Sequence, residues 1–247
     1  MSEGWTQGNQ LEFGGRTRTY AVYTPPEGEV RGMVMALHGS GESVEYMVSE
    51  LGAESTADEN GLVVVAPSGV DYAWNDEDPP GDGLADDVGF IDALVTEIQT
   101  LHPSIPDNQV FAHGFSNGGG LATRLACESR QIRGVGVVGN YYMSFDGACP
   151  RPSGGVVPGW FGAGLEDELV RVESVREGLS DYVVDLTDCP ATGSLQPIEV
   201  ADLSNGVVCK QLSGCDLARM CEYDDRGHEM LPGSFTAAWR FLNAAVE

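Results

Sequence analysis

Short apolar runs alternate along this chain with longer segments whose apolar positions recur every three or four residues. "RGMVMALHG" (31–39), "GLVVVAPSG" (61–69), "NQVFAHGF" (108–115), "IRGVGVVGN" (132–140) and "GVVPGWFGAG" (155–164) are apolar stretches bounded by glycine or polar residues. That pattern predicts strands buried on both faces. "RTRTYAVYTPP" (16–26) alternates and ends on two prolines, which predicts an edge strand. Helical periodicity covers about 44–58, then 86–101, where Val88, Ile91, Leu94, Val95 and Ile98 share one face. Further helices are expected over 117–130, 169–184 and 234–246. "GVVCKQL" (206–212) and "ARMCEYD" (218–224) read as a strand pair, and the Asp-, Pro- and Gly-rich stretch 70–86 as a long loop. Strands alternating with helices imply βαβ units. The fold class is therefore α/β, a mostly parallel central sheet covered by helices on both faces, in one domain over 1–247.

Composition narrows the partners. The chain has 38 acidic and 13 basic residues, a formal net charge of −25, with Lys210 the sole lysine. Such a field repels nucleic acid and anionic membranes, so neither is expected as a partner. Salt adaptation and an arginine-favouring codon bias both account for the lysine deficit. No apolar run reaches the roughly 18 residues of a membrane span. The opening "MSEGWTQGNQLEFGG" lacks the basic and apolar regions of a signal peptide. The six cysteines, Cys127, Cys149, Cys189, Cys209, Cys215 and Cys221, lack metal-type spacing. They predict three disulfides in an oxidising compartment, hence a secreted or periplasmic protein. No metal and no cofactor is expected.

The candidate chemistry centres on "HGFSNGGG" (113–120), which follows an apolar strand and opens a helix. Gly114, Ser116 and Gly118 form G-x-S-x-G, the pattern of a nucleophile elbow. Glycines two before and two after the serine remove side chains that would collide with neighbouring elements at a sharp turn. A phosphate loop would need a lysine that is absent, and a dinucleotide fingerprint would sit near the first strand. A serine nucleophile needs a base and an orienting acid. His228, in the loop between the last strand and the last helix, is the expected base. His113 is too close in sequence to fold back, His102 reads as a surface cap, and His38 as a loop-shaping residue. Asp167, after the strand ending near Gly164, is the expected acid, with Glu166 the alternative; helix N-terminal acids favoured by the dipole are the structural reading of both. Backbone N–H groups of Asn117 and Ser40 are the expected oxyanion donors.

These residues carry a wider similarity. "GGRTRTYAVYTPP", "ALHGSGES", "DDVGFIDALV", "VFAHGFSNGGGLATRLAC", "GLEDELV" and "GHEMLPG" run in order over nearly the whole chain. The chain thereby resembles the polyhydroxybutyrate depolymerase and feruloyl esterase group of the α/β-hydrolase superfamily. The resemblance implies an α/β-hydrolase fold, a Ser116–His228–Asp167 triad and Ser40 as second oxyanion donor. It also implies disulfides Cys127–Cys149 and Cys189–Cys215. Cys209 and Cys221 are additional and would face each other across a hairpin around "SGCD". The departures, "EMLP" for Trp-Pro after the histidine, Gly164-Leu165 for Gly-Thr before the acid, and Ser40 where cysteine is frequent, bear on substrate. Trp74 and His38 are assigned to the substrate-binding region, Trp74 as a wall for a phenolic acyl group or, in the structural reading, as an anchor of its loop. Trp160 is expected in the core, and Asp86 and Asp87 as helix-terminal acids. The expected partner is a small-molecule or polymer ester, with feruloyl-type or polyester substrates first and acetylxylan next. A catalytically inactive carbohydrate-binding protein is the alternative of another class.

Overall fold

An apolar run with no polar break needs cover on both sides, and five such runs together demand a sandwiched sheet. The computed structural model describes residues 4–26, 28–76, 84–143, 149–150, 155–190, 193–200 and 206–246. The tip of the loop expected over 70–86, residues 77–83, lies outside them. The interior strands are β3 (Gly32–Leu37), β4 (Leu62–Pro67), β5 (Val110–Phe115), β6 (Val135–Val138) and β7 (Gly159–Gly164). With β1 (Trp5–Phe13), β2 (Arg16–Tyr23), β8 (Leu195–Ile198), β9 (Val207–Leu212) and β10 (Ala218–Tyr223) they form one ten-stranded sheet among the described residues, ordered β1-β2-β4-β3-β5-β6-β7-β10-β9-β8. The run from β4 to β10 is parallel throughout; the pairs at both margins are antiparallel.

Alternation along each strand sorts the side chains onto two faces. Met33, Met35 and Leu37 of β3 join Val63, Val65 and Ala112 on one face. There α3 (Asp87–Leu101), α4 (Asn117–Glu128) and α5 (Val172–Leu186) cover them with Phe90, Ile91, Leu121, Leu125 and Leu179. Val34, Ala36, Val64 and Phe111 point the other way, under α1 (Val44–Leu51), α2 (Glu54–Asn60) and α6 (Ser234–Val246). This is the expected α/β arrangement, and Trp160 lies fully in the core.

Four sequence expectations change, and two strands, β1 and β8, were not expected. The helix over 44–58 is two helices, because Gly52 takes a left-handed conformation (φ 59°) that ends α1. The strand over 16–26 stops at Tyr23 and is not an edge, since β1 pairs outside it. β1 itself has no regular apolar alternation, and its only sequence signal is Gly14-Gly15. Both glycines have positive φ (58° and 75°), the two-residue hairpin turn that joins Phe13 to Arg16. The strand over 155–164 starts at Gly159, after Pro158, which cannot donate to a ladder. The helix over 169–184 runs instead over Val172–Leu186, because the first amides of that stretch bond to Asp167. The short edge strand β8, with Pro197, was not visible in the pattern.

Buried polar pairs and cross-links tie the layers. Arg18 of β2 donates to Asp87 Oδ1 at 2.8 Å and to Ser68 O at 3.0 Å, and lies over the Phe90 ring. Asp87, fully buried, also accepts from Asn75 N at 2.8 Å, whereas Asp86 caps α3 through Gly89 N. His102 is the C-terminal cap residue of α3. Disulfides join Cys127 to Cys149, Cys189 to Cys215, and Cys209 to Cys221 at a matched register of β9 and β10. Each disulfide is worth about 2–4 kcal/mol through its constraint on the unfolded chain.

His113 is a core residue, as expected. Its ring packs edge-on to Phe235 and beside Trp160, and neither nitrogen has a hydrogen-bond partner among the described residues. Burial pushes its pKa down to about 4. The unfolded chain, with an ordinary value near 6.5, therefore binds this proton first. Stability should be level above about pH 6.5 and fall towards pH 4, this one group contributing about 3 kcal/mol of the loss. Urea unfolding of wild type and His113→Leu at pH 7 and pH 4.5 checks this: the variant should lose clearly less stability on acidification, and equal losses would contradict the assignment.

Candidate active site

A parallel strand that must turn straight into a helix leaves its last residue at the sheet's C-terminal edge. Ser116 occupies that position between β5 and α4, with φ 51° and ψ −121°, a conformation costly for a side chain. Its N–H donates to Val138 O (2.8 Å), and its carbonyl accepts from Gly120 N (3.0 Å) and Asn140 Nδ2 (2.7 Å). A side chain at Gly114 would overlap the Gly118 carbonyl, and one at Gly118 would overlap the carbonyls of Leu37 and His38. The glycines of the motif are thus places where backbone meets backbone.

Three loops converge on the serine hydroxyl. Asp167 follows β7, and His228 follows β10, two strands paired in parallel. Beyond their ends Leu165 N donates to Tyr223 O (3.0 Å) and Glu166 N to Arg226 O (2.8 Å), which laces the two loops together. Asp167 Oδ2 lies 2.8 Å from His228 Nδ1, and His228 Nε2 lies 2.9 Å from Ser116 Oγ. A carboxylate can only accept, so Nδ1 carries the proton and Nε2 accepts from the hydroxyl. Asp167 Oδ1 accepts from the N–H groups of Leu169 (2.9 Å) and Val170 (2.8 Å), so both oxygens of this buried carboxylate are fixed. Glu166, the alternative acid, is exposed. Phe115 packs against the His228 ring at 5.0 Å.

The loop after β3 borders the serine. His38 is fully buried, its Nδ1 2.8 Å from Gly39 O and its Nε2 accepting from Gly69 N at 2.9 Å. Burial lowers its pKa, which keeps this tautomer neutral. Trp74 donates through Nε1 to His38 O (2.9 Å) and lies against the His38 ring. Asn117 clamps the Trp74 backbone from both sides: Trp74 N donates to Oδ1 (2.7 Å), and Nδ2 donates to Trp74 O (3.1 Å). Trp74 is only 4% exposed and His38 is fully enclosed. Of the two readings of Trp74 this burial favours the loop anchor: the Trp74 ring is held by one backbone bond and the His38 ring by two, and both tie together the loops behind the site. Ser40 is exposed between two amides in use, Gly39 N bound to Glu42 Oε2 (2.8 Å) and Gly41 N bound to Tyr72 O (2.8 Å).

Sequence reasoning missed Glu42, Asn140 and the side-chain role of Asn117. Glu42 had a local signal, three residues after Gly39 in "HGSGES". Asn140 and Asn117 had none, because their partners are 24 and 43 residues away. Among the described residues no group of three or more His, Cys, Asp or Glu side chains is arranged to hold a metal ion.

No protein-family model matches the chain. NocK of Nocardia uniformis subsp. tsuyamanensis, named as an esterase, is 34% identical over 135 residues, 52% of this chain and 39% of NocK. The matched part is thus about two fifths of that relative's length. Feruloyl esterase C of Emericella nidulans is 27% identical over 236 residues, 86% of this chain and 78% of that protein. Among solved structures, an acetyl xylan esterase from Aspergillus awamori superposes with a TM-score of 0.72 over 96% of this chain and 99% of that one, at 14% identity. The shared fold is that of the α/β-hydrolases.

Replacing Gly118 by alanine forces a methyl group into the Leu37 and His38 carbonyls. The variant should lose more than about 4 kcal/mol, among the largest single-site effects. Its thermal melt and soluble yield will show it; a near-native melting temperature would mean that α4 is free to shift away from β3.

Proposed function

We propose that this chain, which has the α/β-hydrolase fold, is a serine carboxylic ester hydrolase working through an acyl-enzyme. The observation that carries the proposal is the continuous chain from Ser116 Oγ to His228 to Asp167, with bonds of 2.9 and 2.8 Å. His228 Nε2 takes the hydroxyl proton as Ser116 Oγ attacks the ester carbonyl. Asp167 holds the imidazole in the required tautomer and stabilises its charged form. As the tetrahedral intermediate collapses, His228 gives the proton to the leaving alcohol. Water then attacks the acyl-enzyme with His228 again as base, releasing the acid.

The oxyanion is assigned to the N–H groups of Asn117 and Ser40. Asn117 is the first residue of α4, where a backbone N–H has no partner within the helix. Ser40 N–H lies between the two amides that fix its loop. In this reading Glu42 is a positioning residue for that loop.

The substrate class follows from the rim. With Trp74 buried, apolar contact passes to exposed side chains beside the site. Tyr72 (57% exposed) bonds through its carbonyl to the Ser40 loop, and Leu165 (42%) and Leu169 (76%) flank Asp167. An open rim of this kind favours an ester on a bulky or polymeric carrier, with the acidic surface favouring neutral substrates. Feruloyl-type and polyester substrates come first, acetylxylan second. Three disulfides support a secreted or periplasmic location.

The defining experiment pairs fluorophosphonate labelling with hydrolysis of methyl ferulate, acetylated xylan and hydroxybutyrate oligomers. Wild type should label at Ser116 and hydrolyse at least one of the three, and Ser116→Ala should lower kcat by about 10⁴-fold or more. A folded wild type that never labels would instead identify a binding protein on an esterase fold, and acetylxylan as best substrate would demote the feruloyl reading.

Glu42 gives a finer prediction. Glu42→Ala removes the acceptor of Gly39 N–H and should lower kcat about tenfold, the scale of one hydrogen bond. Glu42→Gln keeps an oxygen acceptor and should retain most of the rate. Steady-state kinetics of the two variants check this; equal losses would mean that the carboxylate charge matters instead of the loop bond.

A further inference from the structure

Twelve of the thirteen basic residues of this acidic chain are arginines, and most of those with described side-chain partners face carboxylates. Arg18 meets Asp87, Arg124 meets Glu128, Arg176 meets Glu222 and Glu173, and Arg226 meets Glu229. Arg219 differs. Among the described residues its guanidinium makes no hydrogen bond and no ion pair, and its Nε is buried without a partner. It lies over the Phe241 ring at 4.6 Å. A guanidinium held half-buried on an aromatic face, its terminal nitrogens bonded to no acceptor among the described residues, is placed to take one from outside the chain.

That acceptor site is a cavity. A groove of about 640 Å³ runs along α6 beside β9 and β10, and Arg219 and Arg240 both line it. Its apolar wall is Phe241 with Ala237, Ala244 and Ala245, one stripe of α6 at helical spacing. The small alanines leave a trough, and Phe241 supplies a flat surface at the Arg219 end. Asp216, the one carboxylate on the lining, is exposed and takes a hydrogen bond from Gln211 Nε2 at 2.6 Å. The groove is not the catalytic site. Arg219 is the second residue of β10, whereas Ser116, Asp167 and His228 all follow the C-terminal ends of their strands.

We infer that this groove is a second binding site, for an organic carboxylate with an apolar body, the acid paired with Arg219 and the body laid along the alanine stripe of α6. Asp216 acts on Arg219 without forming an ion pair, and Ala244 and Ala245 leave the trough open; one ligand of this class would pair with the guanidinium and fill the trough. The inference does not depend on the reaction at Ser116.

The test is titration of the folded full chain with benzoate and hexanoate, and with benzamide and hexanamide as neutral matches in shape. Calorimetry should give one site for a carboxylate, in addition to any at Ser116, with the amides at least tenfold weaker. Amide shifts in two-dimensional NMR should move at Arg219, Ala237, Phe241 and Ala245. Arg219→Met should weaken carboxylate binding at this site at least tenfold, and Arg219→Lys should keep most of it. Both variants should keep the wild-type rate on p-nitrophenyl acetate. The inference fails if carboxylate and amide bind alike, if the shifts cluster only around Ser116 and His228, if Arg219→Met binds as wild type does, or if no binding occurs up to tens of millimolar.

Discussion

The active end of this molecule is organised by one close approach, the backbone of α4 against the end of β3. Gly118 sits on the carbonyls of Leu37 and His38, and Gly114 sits on Gly118. That contact is possible only without side chains, and it forces Ser116 to take up the whole change of direction at φ 51°. It also places the first turn of α4 beside the loop of Gly39 and Ser40. The strain at Ser116 costs of order 1–3 kcal/mol. Three hydrogen bonds to its backbone, from Ser116 N to Val138 O and from Gly120 N and Asn140 Nδ2 to its carbonyl, hold it there.

How much of this could be read in the sequence depended on the range of each interaction. The five apolar strands and the elbow were legible because their causes are local: short apolar runs between polar or glycine boundaries, and glycines at fixed offsets from a serine. The meeting of His228 and Asp167 with Ser116 was legible only as an order of elements, since spacings of 112 and 61 residues carry no geometry by themselves. β1 was missed because its side chains are mostly solvated and it is held by backbone pairing to β2, which leaves no apolar period to detect. Trp74 was ambiguous for a related reason. An aromatic residue in a polar loop looks available, and only the bonds to His38 and Asn117, 36 and 43 residues away, turn it inward.

Charge is distributed with equal economy. A chain at −25 cannot place many carboxylates inside, and those that are inside have tightly specified partners. Asp87 is held by Arg18 and Asn75 N, and Asp167 by His228 and two amides. Asp87 ties the Asn75 loop to β2, and Asp167 ties the His228 ring to the loop after β7. The histidines divide in the same way: His113 and His38 are kept neutral by burial, while His228 is the one whose ring reaches both a carboxylate and the serine.

The cross-links are unevenly placed. All six cysteines follow Ser116, and the loops they close, 127–149, 189–215 and 209–221, lie on either side of Asp167 in the sequence and stop short of His228. The strands that frame the serine, β2 to β5, carry none. The cross-links thus shorten the unfolded chain only in the half that supplies Asp167 and His228, while the half that builds β1 to β5 and the turn at Ser116 folds on packing and backbone contact alone.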